Sequence, residues 1–567
     1  MAEQPAGRRR LPGDRRPMSR PQKAPSAGPW LAGAVVLTML AACNGLPPPS
    51  LAPTTAQTPT ATPFLPAPPS PTPARTRLWL SPSAPADLRE RFRLAAESNG
   101  ALEIVAEPQG DALALVQDPG ATVAEWIYVV AAPFPTVRDS ITMAELERLW
   151  REAEEPTLPI YVSPATEQAV RTILGEPGAN VRIFASSEMM VDAAWDARPS
   201  LAIIPFDELD VRWKVLELNG ASPLRPDFDR AGYPLRVGFG LAGGAALDAL
   251  ESVAGPLPVS NRDPARMTTV VMTGVTALTR ATAWQMSRRG ATFPANDVGE
   301  WLRSADVTHI SHEVAFAPDC PPPSPDLNVL IFCSAPANIE LLEVVGTDVV
   351  ELTGNHLLDA GPEALRFTLD LYRQRGWRWF GGGASLGEAS EPVRLEQNGN
   401  RIAFVGCNEA GPAGDWATTD RPGANPCGAD RLVSQIAVLR QAGYLPIATF
   451  QWHEHYTPRP PLSQREAFRA AAAAGAAAVS GSQAHQPQAF EFVDGAFIHY
   501  GLGNLFFDQM WSTAVRQELI DRYVFYDGRL ISVELLTAYL EDWSRPRPMT
   551  PDERAAFLED MFAASGW

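Results

Sequence analysis

Beyond residue 77 the chain alternates short apolar runs with longer amphipathic ones. The runs Leu78–Leu80, Leu102–Ala106, Trp126–Ala132, Pro159–Val162, Val181–Ala185 and Leu201–Pro205 have the length and the β-branched or aromatic content of buried strands. Between them, Met143–Glu154, Glu167–Leu174 and Ser187–Ala197 carry apolar residues at helical spacing. Strands alternating with helices predict an α/β layer, here assigned to residues 77–254. The run Gly238-Phe239-Gly240-Leu241-Ala242-Gly243 spells GxGxxG after the strand-like Tyr233–Val237. A dinucleotide site needs a βαβ unit continuing from those glycines. Instead the helix-like Ala245–Val253 runs into Pro256, Pro258 and the polar Ser260–Arg266, which reads as a domain boundary.

A second α/β pattern begins at Met267. Its predicted strands are Thr268–Met272, Val307–His312, Val329–Phe332, Val349–Leu352, Arg401–Gly406, Ile447–Trp452, Ala477–Val479 and Ala496–Tyr500. Its predicted helices are Thr282–Arg289, Val298–Ser304, Asn338–Val345, Glu363–Arg375, Arg431–Ala442 and Ser463–Ala474. Tyr523–Leu540 reads as a closing hairpin about Asp527-Gly528, and Thr550–Ala564 as a terminal amphipathic helix, with the last segment taken as 549–567. One stretch stands out chemically. Thr353-Gly354-Asn355-His356-Leu357-Leu358-Asp359 carries an amide and an imidazole off a strand end, into the crevice where α/β proteins keep their ligands.

The polar positions narrow the function. A net charge of -18 over 567 residues argues against a nucleic-acid partner. Only Lys23 and Lys214 are lysines, which excludes a P-loop or a Schiff-base lysine farther along. All seven histidines lie between His309 and His499, so any imidazole chemistry belongs to the second pattern. At the N-terminus, basic residues precede an apolar run, Trp30–Ala42, too short to span a bilayer. That run ends in Leu40-Ala41-Ala42-Cys43, which resembles a bacterial lipobox. Residues 1–43 are therefore read as a lipoprotein signal peptide, with Cys43 as the lipidated residue. Residues 44–76 are about one-third proline and form a spacer. Extended at ~3.1 Å per residue, it would reach on the order of 100 Å from the membrane. Export leaves an even cysteine set, Cys320, Cys333, Cys407 and Cys427, for which Cys320–Cys333 and Cys407–Cys427 are chosen among three connectivities.

Two resemblances sharpen this picture. From Trp126 to Leu241, the runs Val129–Phe134, Ile141–Leu146 and Ala202–Asp207 make the first pattern similar to a type 2 solute-binding lobe of the phosphate-binding kind. No Ser/Thr-Gly-rich helix start is present to cradle an anion, so a structural or partner-docking lobe stands beside a ligand-binding one. Residues 267–548 resemble the capsule-synthesis (CapA, poly-γ-glutamate) family, which shares the calcineurin-like metallophosphatase fold. The motifs that carry this are Gly274 and Arg280, Ser311-His312-Glu313, Thr353–Asp359, Trp379–Gly383, Arg401–Gly406, Phe450-Gln451-Trp452, Gly481–Pro487 and Tyr500–Asn504. The implied architecture is a solute-binding-like α/β domain followed by a metallophosphatase-like α/β sandwich.

The resemblance also implies site roles around a divalent metal whose identity stays open. Glu313 would bridge two cations, Asn355 would ligate through its amide oxygen, His356 would act as acid toward the leaving group, and His485 would complete a metal shell. Three departures weaken this. The family's Gly-Asp is Gly274-Val275 here, and two histidine positions are Gln451 and Gln483. Amide oxygen is a poor replacement for imidazole toward zinc or manganese, though Mg²⁺ or Ca²⁺ accepts it. His453 and His455, read as sharing a strand face, would rebuild a mononuclear site with His485. Gly383-Ala384-Ser385-Leu386-Gly387 spells a nucleophile elbow, but its flexible glycines and the lack of an acid-then-His order argue against a serine hydrolase. Trp452, Tyr456, Tyr500, Phe506, Phe507 and Trp511 are candidates for an aromatic wall or for core. The expected function is a membrane-tethered protein in synthesis, anchoring or processing of a surface polymer. The alternative is a non-catalytic lipoprotein that binds a small ligand or partner.

Overall fold

The computed structural model describes residues 75–567 apart from 101, 109, 111, 118–121, 153–157, 244–259, 327 and 329. The expected signal peptide with Cys43, the proline-rich spacer up to residue 74 and the helix-like 245–253 lie outside the described residues. Among those described, no helix is long and apolar enough to cross a membrane.

The first lobe is built on one nine-stranded mixed sheet. Its strands are β1 (Thr76–Leu80), β2 (Leu102–Val105), β3 (Leu113–Gln117), β4 (Thr122–Pro133), β5 (Ile160–Val162), β6 (Val181–Ile183), β7 (Leu201–Pro205), β8 (Trp213–Val215) and β9 (Arg236–Ala242). They run in the order β2-β1-β3-β9-β4-β7-β5-β6, with β8 beside β4. The central strand β4 is buried along most of its length, as its unbroken apolar run Trp126–Ala132 requires. The GxGxxG spelling is not a loop. It lies almost wholly in β9, which pairs antiparallel with β3 and β4 and bulges between Phe239 and Gly240. Glycine at a bulge of a central strand is a packing device, and the helix-facing turn a pyrophosphate needs is absent from it.

The second lobe stacks two sheets between helices. The nine-stranded sheet holds β10 (Met267–Met272), β11 (Val275–Thr276), β12 (Val307–His312), β13 (Val349–Glu351) and β14 (Arg378–Phe380). The six-stranded sheet holds β15 (Val393–Gln397), β16 (Asn400–Asn408), β17 (Leu445–Gln451), β18 (Ala478–Ser482), β19 (Phe490–Val493) and β20 (Ala496–His499), in the order β15-β16-β17-β18-β20-β19. The chain then returns to the first of these sheets as β21 (Asn504–Phe506), β22 (Gln517–Tyr526), β23 (Arg529–Glu541) and β24 (Arg545–Pro548), completing the order β14-β13-β12-β10-β22-β23-β24 with β11 between β12 and β21. The inner faces meet through Val270, Val307, Phe380, Phe404, Ile447, Phe497 and Tyr523. The outer face of the larger sheet packs on Met286, Leu341, Leu365, Leu369 and Tyr372, and that of the smaller on Leu432, Ile436 and Phe468, all helical residues. This is the expected α/β sandwich.

The hairpin turns at Asp527 and Gly528, both at positive φ, the geometry that matches strand twist. The terminal helix Pro551–Ser565 starts with a Thr550/Glu553 capping box. One predicted strand is missing: Leu330 to Phe332 are irregular, on a loop closed by the Cys320–Cys333 disulfide. The Cys407–Cys427 disulfide also forms, so both local pairings match expectation.

The two lobes share a core. Phe134, just past the end of β4, is ringed by Phe490, Phe492, Phe497, Phe562 and Trp567, with ring centroids 5.2–6.2 Å away. Charged pairs border that seam, Arg225–Glu534 and Arg554–Asp139 among them. Lys214 also belongs to it, its ammonium held by Asp139 and the carbonyls of Thr136 and Val137, and burial brings its pKa down to about 8.

Candidate functional site

Four strand ends build the crevice. Glu313 follows β12, Asn355 and His356 follow β13, Gln451 closes β17 and Gln483 follows β18. β12 and β13 are parallel neighbours, as are β17 and β18, so each sheet brings its carboxyl ends to one edge. Ser311 and Ser482, 3.4 Å apart between hydroxyls, join the two sheets there. The turn at Gly354 is set by close approach: a Cβ would lie 2.7 Å from Glu313 Cγ and 2.8 Å from its Cα. Asn408, at the end of β16, pins the same turn by donating to the Thr353 carbonyl at 2.7 Å.

At the centre lies the Gln451 side chain. Its Nε2 donates toward Glu313 Oε1 at 3.0 Å, Asn355 Oδ1 at 3.0 Å and, in a closer contact, Gln483 Oε1. Glu313, Gln451 and Gln483 are buried, and the second Glu313 oxygen finds no partner among the described residues. Gln483 and His485 both hold positive φ, an unusual backbone that marks the loop as shaped for its site.

The donor set does not fit the implied metal pair. Val275, where a carboxylate would stand, is fully buried in an apolar cluster with Val314, Phe332 and Phe507. β17 ends at Gln451, so His453 and His455 do not share a strand face as expected; they follow it in an irregular segment where His453 is exposed. His485 Nδ1 is engaged with Asn504 Oδ1 at 2.9 Å. Among the described residues no three His, Cys, Asp or Glu side chains come together as a metal shell. A soft or borderline cation wants imidazole or thiolate, and the converging donors are one carboxylate and amides.

His356 adds a titratable imidazole to the crevice. Its Nδ1 lies 2.7 Å from Asp359 Oδ2, which also accepts the Phe332 N–H at 2.8 Å. The Phe332 ring covers the imidazole at 4.2 Å. The side chain keeps 23% of its surface exposed. Burial pulls its pKa down, but the Asp359 hydrogen bond and the charges of Glu313, Asp359 and Asp415 outweigh it, so the value is raised. Asp415 rises to about 6 through burial and the neighbouring Asp359 charge. Asp359, Asp415, Asn408 and Phe332 were not picked out as site residues from sequence. Only Asp359 left a signal there, as the last residue of the Thr353–Asp359 stretch.

Aromatic rings lead from this imidazole to the surface. Phe332 contacts Phe507, Phe507 contacts His485, and His485 stacks with Tyr456, which meets Trp511 edge-on at 5.7 Å. Tyr456 and Trp511 are 42% and 59% exposed. Trp452 and Tyr500 pack instead around Phe468 in the core, and Phe506 is buried beneath the larger sheet. Arg280, the end of the opening motif, is buried against Asp508 and sits over Phe332 and Phe507, supporting this wall.

The other histidines are structural. His309 pairs with Glu351 and His499 with Asp521, all buried. His312 bonds Tyr372 Oη at 2.7 Å on the face away from Glu313, and burial drives its pKa down to about 3. Ser385 caps the short helix Leu386–Ala389, accepting the Glu388 N–H, and so is no nucleophile elbow.

Residues 269–509 match the family model of the bacterial capsule synthesis protein PGA_cap. The second lobe resembles the capsule-synthesis family. The capsule biosynthesis protein CapA of Bacillus anthracis is 24% identical over 299 residues, covering 52% of this chain and 72% of that one. The PGA biosynthesis protein CapA of Bacillus subtilis is 26% identical over 192 residues, covering 34% of this chain and half the length of that relative. Among solved structures, a 5'-nucleotidase precursor from Thermus thermophilus aligns at 14% identity and a TM-score of 0.31, over 53% of this chain and 58% of that one. An ABC-type phosphate transport receptor from Vibrio cholerae aligns at 10% identity and 0.27, over 32% of this chain and 94% of that one. Every crevice residue from Glu313 to His485 falls inside the capsule-synthesis-like segment.

Proposed function

We propose that this chain is a membrane-tethered protein that takes part in synthesis, anchoring or processing of a surface polymer of the capsule or poly-γ-glutamate kind, through a degenerate metallophosphatase-type crevice. The observation that carries this is the family match over residues 269–509, which encloses the whole crevice. The lipobox-like Leu40–Cys43 and the spacer behind it would hold the protein at the outer face of a membrane. In this reading, His356 supplies a proton or a charged hydrogen bond from Nε2, with Asp359 fixing the tautomer at Nδ1. Tyr456 and Trp511 give the polymer a surface to lie on.

The reading is tested with the purified chain on γ-glutamyl oligomers, capsular oligosaccharides and a phosphoester, measuring binding and turnover for wild type and His356→Ala. Binding or turnover of a polymer that falls at least tenfold in the variant supports it. Wild type and variant indistinguishable on every polymer would sink it. The second reading, a non-catalytic binding lipoprotein, is favoured by Val275 and Gln451 standing where metal ligands would be. It predicts polymer binding with no turnover.

A further inference from the structure

Three side-chain oxygens from three strand ends converge on a single nitrogen. Glu313 Oε1 and Asn355 Oδ1 lie 3.0 Å from Gln451 Nε2, and Gln483 Oε1 is closer still. A carboxylate and two amide oxygens on one point are the kind of donors a hard cation takes, but fewer than its shell needs. Here the point is filled by the chain itself. The amide orientation follows from Glu313: reversed, Gln451 would aim its own oxygen at a carboxylate, which only accepts. A primary amide has two N–H bonds, so it serves two of the three at once and presents partial positive charge to all of them. The backbone behind it is fixed, since the Gln451 carbonyl accepts from the N–H groups of Glu409 and Ala410 at 2.9 and 3.2 Å.

We infer that the Gln451 carboxamide is an internal substitute for a cation, and that the crevice is assembled to work without a bound metal. A buried carboxylate needs a donor to stay in the interior. Glu313 obtains it from Gln451, and the neighbouring wall, built on Val275, is apolar. The inference concerns how the crevice is charged, and so holds whichever polymer, if any, the protein handles.

The test uses the purified chain incubated with Mn²⁺, Zn²⁺, Mg²⁺ or Ca²⁺, then desalted, with metal content measured by mass spectrometry and the thermal midpoint followed with and without chelator. Wild type is expected to retain well below one ion per chain, with a midpoint that neither chelator nor cation moves. Gln451→Ala is expected to lower the midpoint and to regain it on adding a divalent cation, which then enters the vacated position. In a Glu313→Gln background the same Gln451→Ala exchange is expected to cost much less, because the carboxylate that needed the amide is gone. That coupling separates charge compensation from simple packing. If Gln451→Ala does not fold, Gln451→His with Gln483→His is the companion variant, expected to bind about one ion per chain where wild type binds none. A wild type holding about one ion, lost in Glu313→Gln, overturns the inference, and so does additivity of the two exchanges. Neither outcome bears on polymer binding, which is measured separately.

Discussion

The molecule contains two histidine–aspartate pairs of identical length and opposite use. In both, Nδ1 and Oδ2 are 2.7 Å apart. His499 and Asp521 are wholly buried and cross the sandwich, one on the six-stranded sheet and the other on the nine-stranded one. The remaining His499 nitrogen and Asp521 oxygen find no partner among the described residues. His356 and Asp359 sit three residues apart on one turn, partly open, with further acids nearby. The lesson is that a pair's chemistry is set by what surrounds it. The crossing pair joins the two sheets in the interior, and the crevice pair stays within one partly exposed turn.

The sharpest break is expected at the crossing pair. Asp521→Ala strands an imidazole in the core and should cost about 3–5 kcal/mol in chemical denaturation. Replacing both residues with leucine should recover most of that loss, since a well-packed apolar pair of similar volume is often neutral. A double variant no better than Asp521→Ala would show that the pair does more than satisfy itself. Phe134→Ala offers a charge-free reference at the seam between lobes, with an expected loss of about 3–4 kcal/mol that does not depend on pH.

His356→Ala should change stability by only about 1 kcal/mol. Its signature is in the pH dependence. A histidine whose folded pKa is raised adds stability that is complete below about 6.5, its unfolded value, and is lost as pH rises through the folded one. Asp415 has the same sign: held near 6 against an ordinary value of about 3.9, it favours folding when protonated and opposes it once ionised. Wild-type stability should therefore contain a component that falls from about pH 4 to beyond about pH 6.5. Asp415→Asn should be more stable than wild type at the upper end of that range and level with it at the lower end. Equal curves for wild type, His356→Ala and Asp415→Asn across that range would refute the assignment. Asp359→Asn should lower the His356 pKa, read from its ring proton signals by NMR. The smallest effect on stability, within about 0.5 kcal/mol, is expected for Trp511→Ala, whose test is weakened binding of polymer.

The sequence carried most of the fold because its signals were local. The apolar run in β4, the Asp527-Gly528 turn and the Thr550/Glu553 cap each specify their element within a few residues. Val329–Phe332 misled for the converse reason. Its apolar residues look like a strand, yet Leu330 and Ile331 lie exposed while Phe332 is drawn over His356. The strand ends were legible, and with them Glu313, Asn355 and His356 as neighbours. What local reading could not give was Gln451 as the hub, because three oxygens converge on it from elements as much as 138 residues away in sequence. Asp415 was hidden in the same way, on a loop whose approach to His356 is tertiary. His453 and His455 failed through a small matter of length: the strand stops two residues short of the first.

The two disulfides have a further consequence. Cys333 directly follows Phe332, and Cys407–Cys427 closes the loop that carries Asp415. Both covalent clasps therefore act on walls of the same imidazole. With both bonds reduced, the loops that carry Phe332 and Asp415 lose their covalent closure, so the two walls of one imidazole loosen together.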